Sequence, residues 1–232
     1  MAGSETALIV GAGAGLSASL ARRFAKEDVK VAIAARNTDK LSDLVAESGA
    51  KAYGCDASDP AQVADLFAAV TSDLGEPDIV VYNASARVRG PIIDLDPEAV
   101  RDAVTITCFG GFLVAQQAAR QMVPRGNGAI FLTGASAGVK GYPNSSTFAM
   151  GKFGLRGLAQ SLARELHPQN VHIGHFVIDG GIRRDNDPRA DRAGEDGLLE
   201  PDSIAETYYQ FWRQPRDSWA WEIDLRPWVE KF

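Results

Sequence analysis

Several features that define other protein classes are scarce in this sequence of 232 residues. Its two cysteines, Cys55 and Cys108, lie far apart and in no metal-ligand spacing, so we expect no disulfide scaffold, no metal site and a reducing compartment. Acidic residues outnumber basic ones by 30 to 24, and the basic residues form no stripe. Both observations argue against nucleic acid as a partner. No apolar run approaches the ~18 residues that span a bilayer, and residues 1–6 contain no basic leader. We therefore expect a cytoplasmic protein with no membrane partner, acting on a small-molecule substrate.

What the sequence does contain is a regular alternation of short apolar runs and amphipathic segments. The runs are nearly continuous, as expected of parallel strands buried on both faces, and the segments between them have helical spacing. Such alternation forces parallel pairing through right-handed crossovers. The predicted strands are residues 7–10, 29–34, 50–55, 78–82, 129–133, 171–178 and 219–225. The sequence predicts one α/β domain over residues 1–232, a Rossmann-type doubly wound parallel sheet of about seven strands with helices on both faces.

The first predicted strand runs into a glycine-rich turn and then the start of a helix. This geometry points free backbone N–H groups and the positive end of a helix dipole at one place, where a pyrophosphate usually binds. Side chains in the turn would hold the phosphate away from the backbone, which explains the glycines. The alternative is a tight turn with no ligand. The residues predicted to bind the cofactor here are Gly11, Gly13, Ala14, Gly15 and Leu16.

The end of the second predicted strand bears on the choice of cofactor. A carboxylate at this point would bond the ribose hydroxyls of NAD(H) and repel a 2′-phosphate. Residues 34–37 contain no carboxylate and include Arg36. We therefore expect NADP(H) to be preferred over NAD(H), the alternative being that Arg36 is a surface residue at a helix start.

Residues 180–201 break the alternation. They interleave arginines with acidic side chains and show no periodicity. Long loops in compact domains are often lids, so we predict a mobile lid over the active site, with a solvated loop as the alternative.

Together with Asp56 after the third predicted strand, Asn83-Ala84-Ser85 after the fourth and Lys152 after the fifth, these features resemble the short-chain dehydrogenase/reductase family. The resemblance implies that Asp56 and Ala57 lie at the adenine and that residues 83–85 pass beneath the cofactor. It also implies that Lys152 holds the nicotinamide ribose and that Gly180 and Ile182 lie near the nicotinamide. The family's Thr-Gly-x-x-x-Gly-x-Gly turn has Val10 in its first place here and Ser17 in its last.

The family's reaction centre of Asn, Ser, Tyr and Lys is matched only at Lys152. Phe148 stands where the tyrosine acid is expected, four residues before Lys152, and a phenyl ring has no proton to give. Ala135 stands at the serine position, with Ser136 next to it, and Thr107 falls near the asparagine position. The sequence is thus similar to a divergent branch of the family with Phe in place of the catalytic Tyr.

Three side chains are candidates to supply the missing proton, namely Ser136, Tyr142 and Asp179. Tyr142 could instead be a surface turn residue and Asp179 a cap. Three functions remain open: an NADP(H)-dependent reductase of a carbonyl or imine, a non-redox enzyme that keeps the nucleotide, and a sensing module. Members of the family pair through two long helices, here about 99–122 and 145–167, which implies a homodimer or homotetramer.

Overall fold

The computed structural model describes residues 5–230, and within them the fold centres on one parallel sheet of seven strands. The spatial order is β3-β2-β1-β4-β5-β6-β7, with every neighbouring pair parallel. The strands are β1 (Thr6–Val10), β2 (Lys30–Ala35), β3 (Lys51–Gly54), β4 (Ile79–Tyr82), β5 (Gly128–Thr133), β6 (Val171–Ile178) and β7 (Glu222–Leu225). The predicted fold class is confirmed.

Helices cover both faces of the sheet. The α-helices are α1 (Leu16–Ala25), α2 (Ser42–Ser48), α3 (Pro60–Leu74), α4 (Pro97–Val104), α5 (Gly110–Arg125), α6 (Ser146–Leu166), α7 (Ala190–Ala193) and α8 (Pro201–Trp212). Helices α3, α5 and α6 pack against one face, and α1, α2 and α8 pack against the other. Single 3₁₀ turns are formed by Asp39–Leu41, Ile92–Asp94, Ser136–Gly138, His167–Gln169 and Arg216–Ser218. Because both faces are covered, strands such as β1, β4 and β6 are buried along their whole length.

The long helix expected around 99–122 is divided by a π-helical turn, Thr105–Phe109. Two hydrogen bonds join this turn to β4 and the chain that follows it: the Tyr82 hydroxyl donates to the carbonyl of Ile106, and the Thr107 hydroxyl accepts from the amide of Ala86 at 3.0 Å. Periodicity does not reveal such a turn, because the apolar spacing on either side is still helical.

The last strand is shorter than predicted. β7 begins at Glu222 rather than at residue 219, because the chain first forms the Arg216–Ser218 turn and then bonds back to Gln214 through the indole N–H of Trp219 and the amide of Ala220. Residues 219–221 therefore precede the strand and do not extend it. Throughout residues 5–230, no helix combines the length and the apolar character needed to cross a membrane.

Candidate active site

The candidate site lies at the carboxyl ends of the strands, next to the place where β1 and β4 are neighbours. Their connections leave toward opposite faces of the sheet, and such a switch point opens a crevice above the strands. A cavity of about 1020 Å³ occupies it, lined among others by Gly15, Asn83, Thr133, Lys152 and Gly180. The carboxyl ends of four strands and the starts of helices α1 and α8 therefore converge on one space.

The glycine turn presents unused backbone donors to this cavity. The amides of Gly11 and Ala12 bond the carbonyl of Ala34, and those of Ala18 and Ser19 bond the carbonyl of Gly15. Within the described chain the five amides between them, 13–17, have no hydrogen-bond partner. Ala14, Gly15 and Leu16 line the cavity, and Gly15 caps α1 without a side-chain bond. These donors and the helix dipole favour an anion at this position.

The glycines of the turn have different roles. Gly11 has φ of +90°, and a Cβ there would overlap the amide nitrogen of Ala84. Gly13 and Gly15 would meet nothing within 4 Å. The expectation that these glycines keep side chains away from a ligand therefore suits Gly13 and Gly15. Gly11 is required by the close approach of β1 to the chain leaving β4.

Ser17 joins the two chain segments that flank the cavity. Its hydroxyl donates to the carbonyl of Gly11 at 3.0 Å and accepts from the Asn83 side-chain amide at 2.7 Å. The side chain is buried. This residue, which departs from the family's glycine pattern, thus stabilises the turn that the pattern describes.

Lys152 lies in α6 with its side chain almost completely buried, 3 % exposed. Its ammonium donates to the carbonyl of Thr133, at the end of β5, over 2.6 Å. Burial, together with the nearby charge of Arg87, lowers the pKa of Lys152 to about 7. A group with this pKa can hold or release a proton near neutral pH.

Phe148 lies one helical turn before Lys152 and also lines the cavity. Its ring is buried with Ala135 and Ala137, and the Lys152 ammonium is 5.7 Å from the ring centroid. On the ring lies the guanidinium of Arg87, with its central carbon 3.8 Å from the centroid. Apolar carbon and two cations thus surround the position at which the resemblance implies a tyrosine.

A second cavity, of about 460 Å³, adjoins the first. Ser136, Tyr142 and Asp179 all line it, so the three candidate proton donors do come together. Tyr142 is 42 % exposed, and the Asp179 carboxylate is ion-paired with Lys140 at 3.6 Å and Arg226 at 3.4 Å. Phe148 and Gly180 line both cavities.

Several residues predicted to bind the cofactor lie outside both cavities. Asp56 accepts bonds from the amide and hydroxyl of Ser58, and these bonds, with a contribution from Arg36, lower its pKa. Arg36 is exposed at the end of β2. The residues of the predicted set that line neither cavity are Gly11, Gly13, Arg36, Asp56, Ala57 and Ala84.

The predicted lid segment, 180–201, borders the large cavity through Gly180, Ile182 and residues 183–185. A bridge between Ile182 and Leu199 joins its two ends, and α7 lies between them. Its movement remains a prediction.

Sequence reasoning missed several cations at the site. Arg22 and Arg87 line the large cavity, and Lys140 and Arg226 bind Asp179. Arg87 had a visible signal, since it comes five residues after the end of β4 and the ends of parallel strands meet at one edge. The other three carried none, because only the folded chain brings them to the site.

The fold and the position of the cavity define a doubly wound α/β protein of the dinucleotide-binding class. A sequence model described as "short chain dehydrogenase" matches residues 5–185. The chain belongs to this family.

Individual proteins agree with this assignment. Carbonyl reductase family member 4 of Xenopus tropicalis is 28 % identical over 183 residues, which cover 78 % of this chain and 77 % of that protein. A short-chain dehydrogenase from Rhodopseudomonas palustris superposes with a TM-score of 0.83 at 32 % identity, covering 97 % of this chain and 99 % of the other. A metagenomic short-chain oxidoreductase, solved in complex with NADP, superposes with a TM-score of 0.84 at 24 % identity over 98 % and 99 % of the two chains, a likeness of fold.

Proposed function

We propose that this protein is an NADP(H)-dependent oxidoreductase that reduces a carbonyl or imine in a small organic molecule without a tyrosine acid. The observation that carries the proposal is the run of amides, 13–17, that have no hydrogen-bond partner in the described chain, since three residues of this run, Ala14, Gly15 and Leu16, line the same cavity as Lys152. The carbonyl reductase and the NADP-bound oxidoreductase among the similar proteins support it by analogy.

The residues present fit a dinucleotide. The amides at 13–17 would hold its diphosphate, since Gly13 and Gly15 leave open space where side chains would stand. By the family resemblance, residues 83–85 would lie beneath it, Lys152 would bind the nicotinamide ribose, and Gly180 and Ile182 would lie beside the nicotinamide. When bound, the cofactor supplies the hydride that adds to the carbon of the C=O or C=N group.

Proton delivery distinguishes this site from the family pattern. Phe148 has no exchangeable proton, and the nearest ionisable group to its ring within α6 is Lys152, with a pKa of about 7. An imine that arrives protonated needs no acid at all, whereas a ketone needs one proton on oxygen. Loss of a general acid costs roughly 10²- to 10⁴-fold, which positioning alone does not recover.

A substitution series tests the reductase. NADPH oxidation is followed with a panel of ketones and cyclic imines for the wild-type protein, Phe148→Tyr and the matched control Phe148→Leu. We expect imines to be reduced by the wild type, and ketone turnover to rise at least about tenfold in Phe148→Tyr alone. No NADPH oxidation by any variant would contradict redox function.

The alternative is a protein that binds NADP(H) without turning it over, favoured by the apolar side chains at Phe148 and Ala135. Titration separates it from the reductase, because tight NADPH binding would persist without turnover. In both cases we expect NADPH to bind more tightly than NADH, and equal affinities would contradict the argument from Arg36.

We also propose a homo-oligomer built on the long helices. Phe109 and Phe112 at the start of α5 stack at 5.9 Å and are 44 % and 40 % exposed, and Met150 and Phe153 of α6 are 56 % and 45 % exposed. Burying such apolar surface favours association. Light scattering after gel filtration tests it: we expect a dimer or tetramer, and a monomer at all concentrations would refute it.

A further inference from the structure

The two cavities are lined by arginines that form no ion pair within residues 5–230. Arg87 lines both cavities, Arg89 lines the smaller one and Arg184 lines the larger one. Among the described residues, no carboxylate lies within salt-bridge distance of these three guanidinium groups, although most other arginines of the chain have one. Burial lowers the pKa of Arg87, and the like charges of Arg89 and Arg184 contribute in the same direction.

The arginine at the centre of this group is held in place from three sides. Its guanidinium lies on the Phe148 ring, 3.8 Å from the centroid. The preceding residue, Ala86, is bonded through its amide to Thr107 of the π-helical turn at 3.0 Å. Beyond it, the amide of Gly90 donates to the carbonyl of Asn144 at 3.2 Å. The loop that carries Arg87 and Arg89 is thus anchored at both ends, and a positioned guanidinium loses less entropy on binding a ligand.

The acidic side chains of the smaller cavity do not cancel this charge. Asp179 is ion-paired with Lys140 and Arg226, and Glu230 is exposed at the outer wall. Their presence does bear on the ligand, because a dianion would be repelled by two carboxylates more strongly than a monoanion. A planar monoanion of the kind that a guanidinium binds through two parallel hydrogen bonds fits both conditions.

We propose that Arg87, supported by Arg89, is a carboxylate-binding residue that selects substrates carrying a carboxylate near the carbonyl or imine to be reduced. The inference rests on the proposed function for its place in a reaction, and adds the substrate class. The cavity of about 460 Å³ admits a small organic acid. Phe148 then has a role of its own, as the platform that orients the guanidinium.

The test measures binding and needs no turnover. NADPH-saturated protein is titrated calorimetrically with benzoate and with benzamide, which has the same shape and no charge. We expect benzoate to bind about 10- to 100-fold more tightly than benzamide, the effect of a charge-assisted bidentate pair. Arg87→Gln should abolish the preference, and Arg87→Lys should keep part of it.

A matched control removes the same charge elsewhere. Arg216 is exposed in the turn that precedes β7, whereas the cavities lie where the strands end. It makes no ion pair with any described residue. Arg216→Gln should retain the full preference for benzoate. If Arg87→Gln does not fold, as judged by circular dichroism, Arg89→Gln is used, and a several-fold loss of the preference is expected.

Three results would overturn the assignment. One is an equal preference for benzoate in wild type and Arg87→Gln. Another is inorganic phosphate binding as tightly as benzoate, which would mark a general anion site. The third is NADPH affinity falling more than about tenfold in Arg87→Gln with benzoate binding intact, because the guanidinium would then serve the cofactor. If NADPH itself fails to bind, the proposed function fails separately, and the benzoate titration is carried out on the free protein.

Discussion

Two regions of the same cavity tolerate change differently. The glycine turn, taken together with the last residue of β1 as residues 10–17, departs from its family pattern at Val10 and Ser17 and still offers backbone amides to the cavity. The reaction-end cluster, defined as Arg87, Ala135, Phe148 and Lys152, contains two side chains, Ala135 and Phe148, that have no proton to donate. Backbone donors are present whatever the side chain, whereas proton transfer depends on one functional group. Comparison of the two shows why the fold and cofactor are easier to infer than the reaction.

The largest effect is expected at Gly11. Gly11→Ala places a Cβ against the amide of Ala84 at a φ of +90°, so we expect the free energy of unfolding to fall by about 3 kcal/mol. Gly13→Ala is the control: it meets nothing within 4 Å and should unfold like the wild type while binding NADPH more weakly. Urea unfolding and NADPH fluorescence measure the two. Equal stability of both variants would show that Gly11 is no more important for folding than Gly13.

The next effect is a pH dependence at Lys152. Since its pKa is about 7 in the folded protein and about 10.5 in an ordinary lysine, the ammonium loses its proton as pH rises through 7. We expect NADPH affinity to fall about tenfold over that range in the wild type, and Lys152→Met to bind weakly with little pH dependence. If the NADPH affinities of the wild type and Lys152→Met changed with pH in the same way, a ribose-binding role for Lys152 would be refuted.

The lowered pKa of Lys152 also predicts the direction in which the stability of the protein changes with pH. Between about pH 7 and pH 10.5 the unfolded chain binds the Lys152 proton and the folded chain does not. The wild type should therefore lose stability as pH falls through this interval, relative to Lys152→Met. Melting temperatures at pH 7 and 10 test this, and an unchanged difference between the two proteins would contradict it.

A smaller effect is expected where Ser17 links the two sides of the cavity. Ser17→Ala removes the bonds to the Gly11 carbonyl and the Asn83 amide, and should cost about 1 kcal/mol of stability. Asn83→Ala breaks one of the same bonds, so the double variant should cost less than the sum of the single ones. Strict additivity in urea unfolding would show that the two side chains act independently.

The smallest structural effect is expected at Arg36. Because this side chain is exposed and without an ion pair among the described residues, Arg36→Ala should leave unfolding unchanged. It should weaken NADPH several-fold and NADH little, if the guanidinium meets a 2′-phosphate. Equal losses for both cofactors would remove the basis for the NADP(H) preference.

Much of the fold was predictable from local patterns. The caps show why: the Asp59 carboxylate accepts from the amides of Ala61 and Gln62 and the Asp96 carboxylate from those of Glu98 and Ala99, as a capping residue before proline favours. The π-helical turn at Thr105–Phe109 was not predictable from local patterns, and the hydrogen bond that it accepts from Tyr82 comes from more than twenty residues away.

The sequence by itself determined the order of strands and helices, the glycine turn and the presence of Phe148 four residues before Lys152, because these follow from short-range periodicity and from residue identity. Tertiary structure alone decided that Arg87 lies on that phenyl ring, that Ser17 binds Asn83 and that Asp179 is ion-paired. Each of these contacts joins residues from different strand ends, and chain spacing carries no information about distances across a sheet edge. The chemistry of the site depends on those distances.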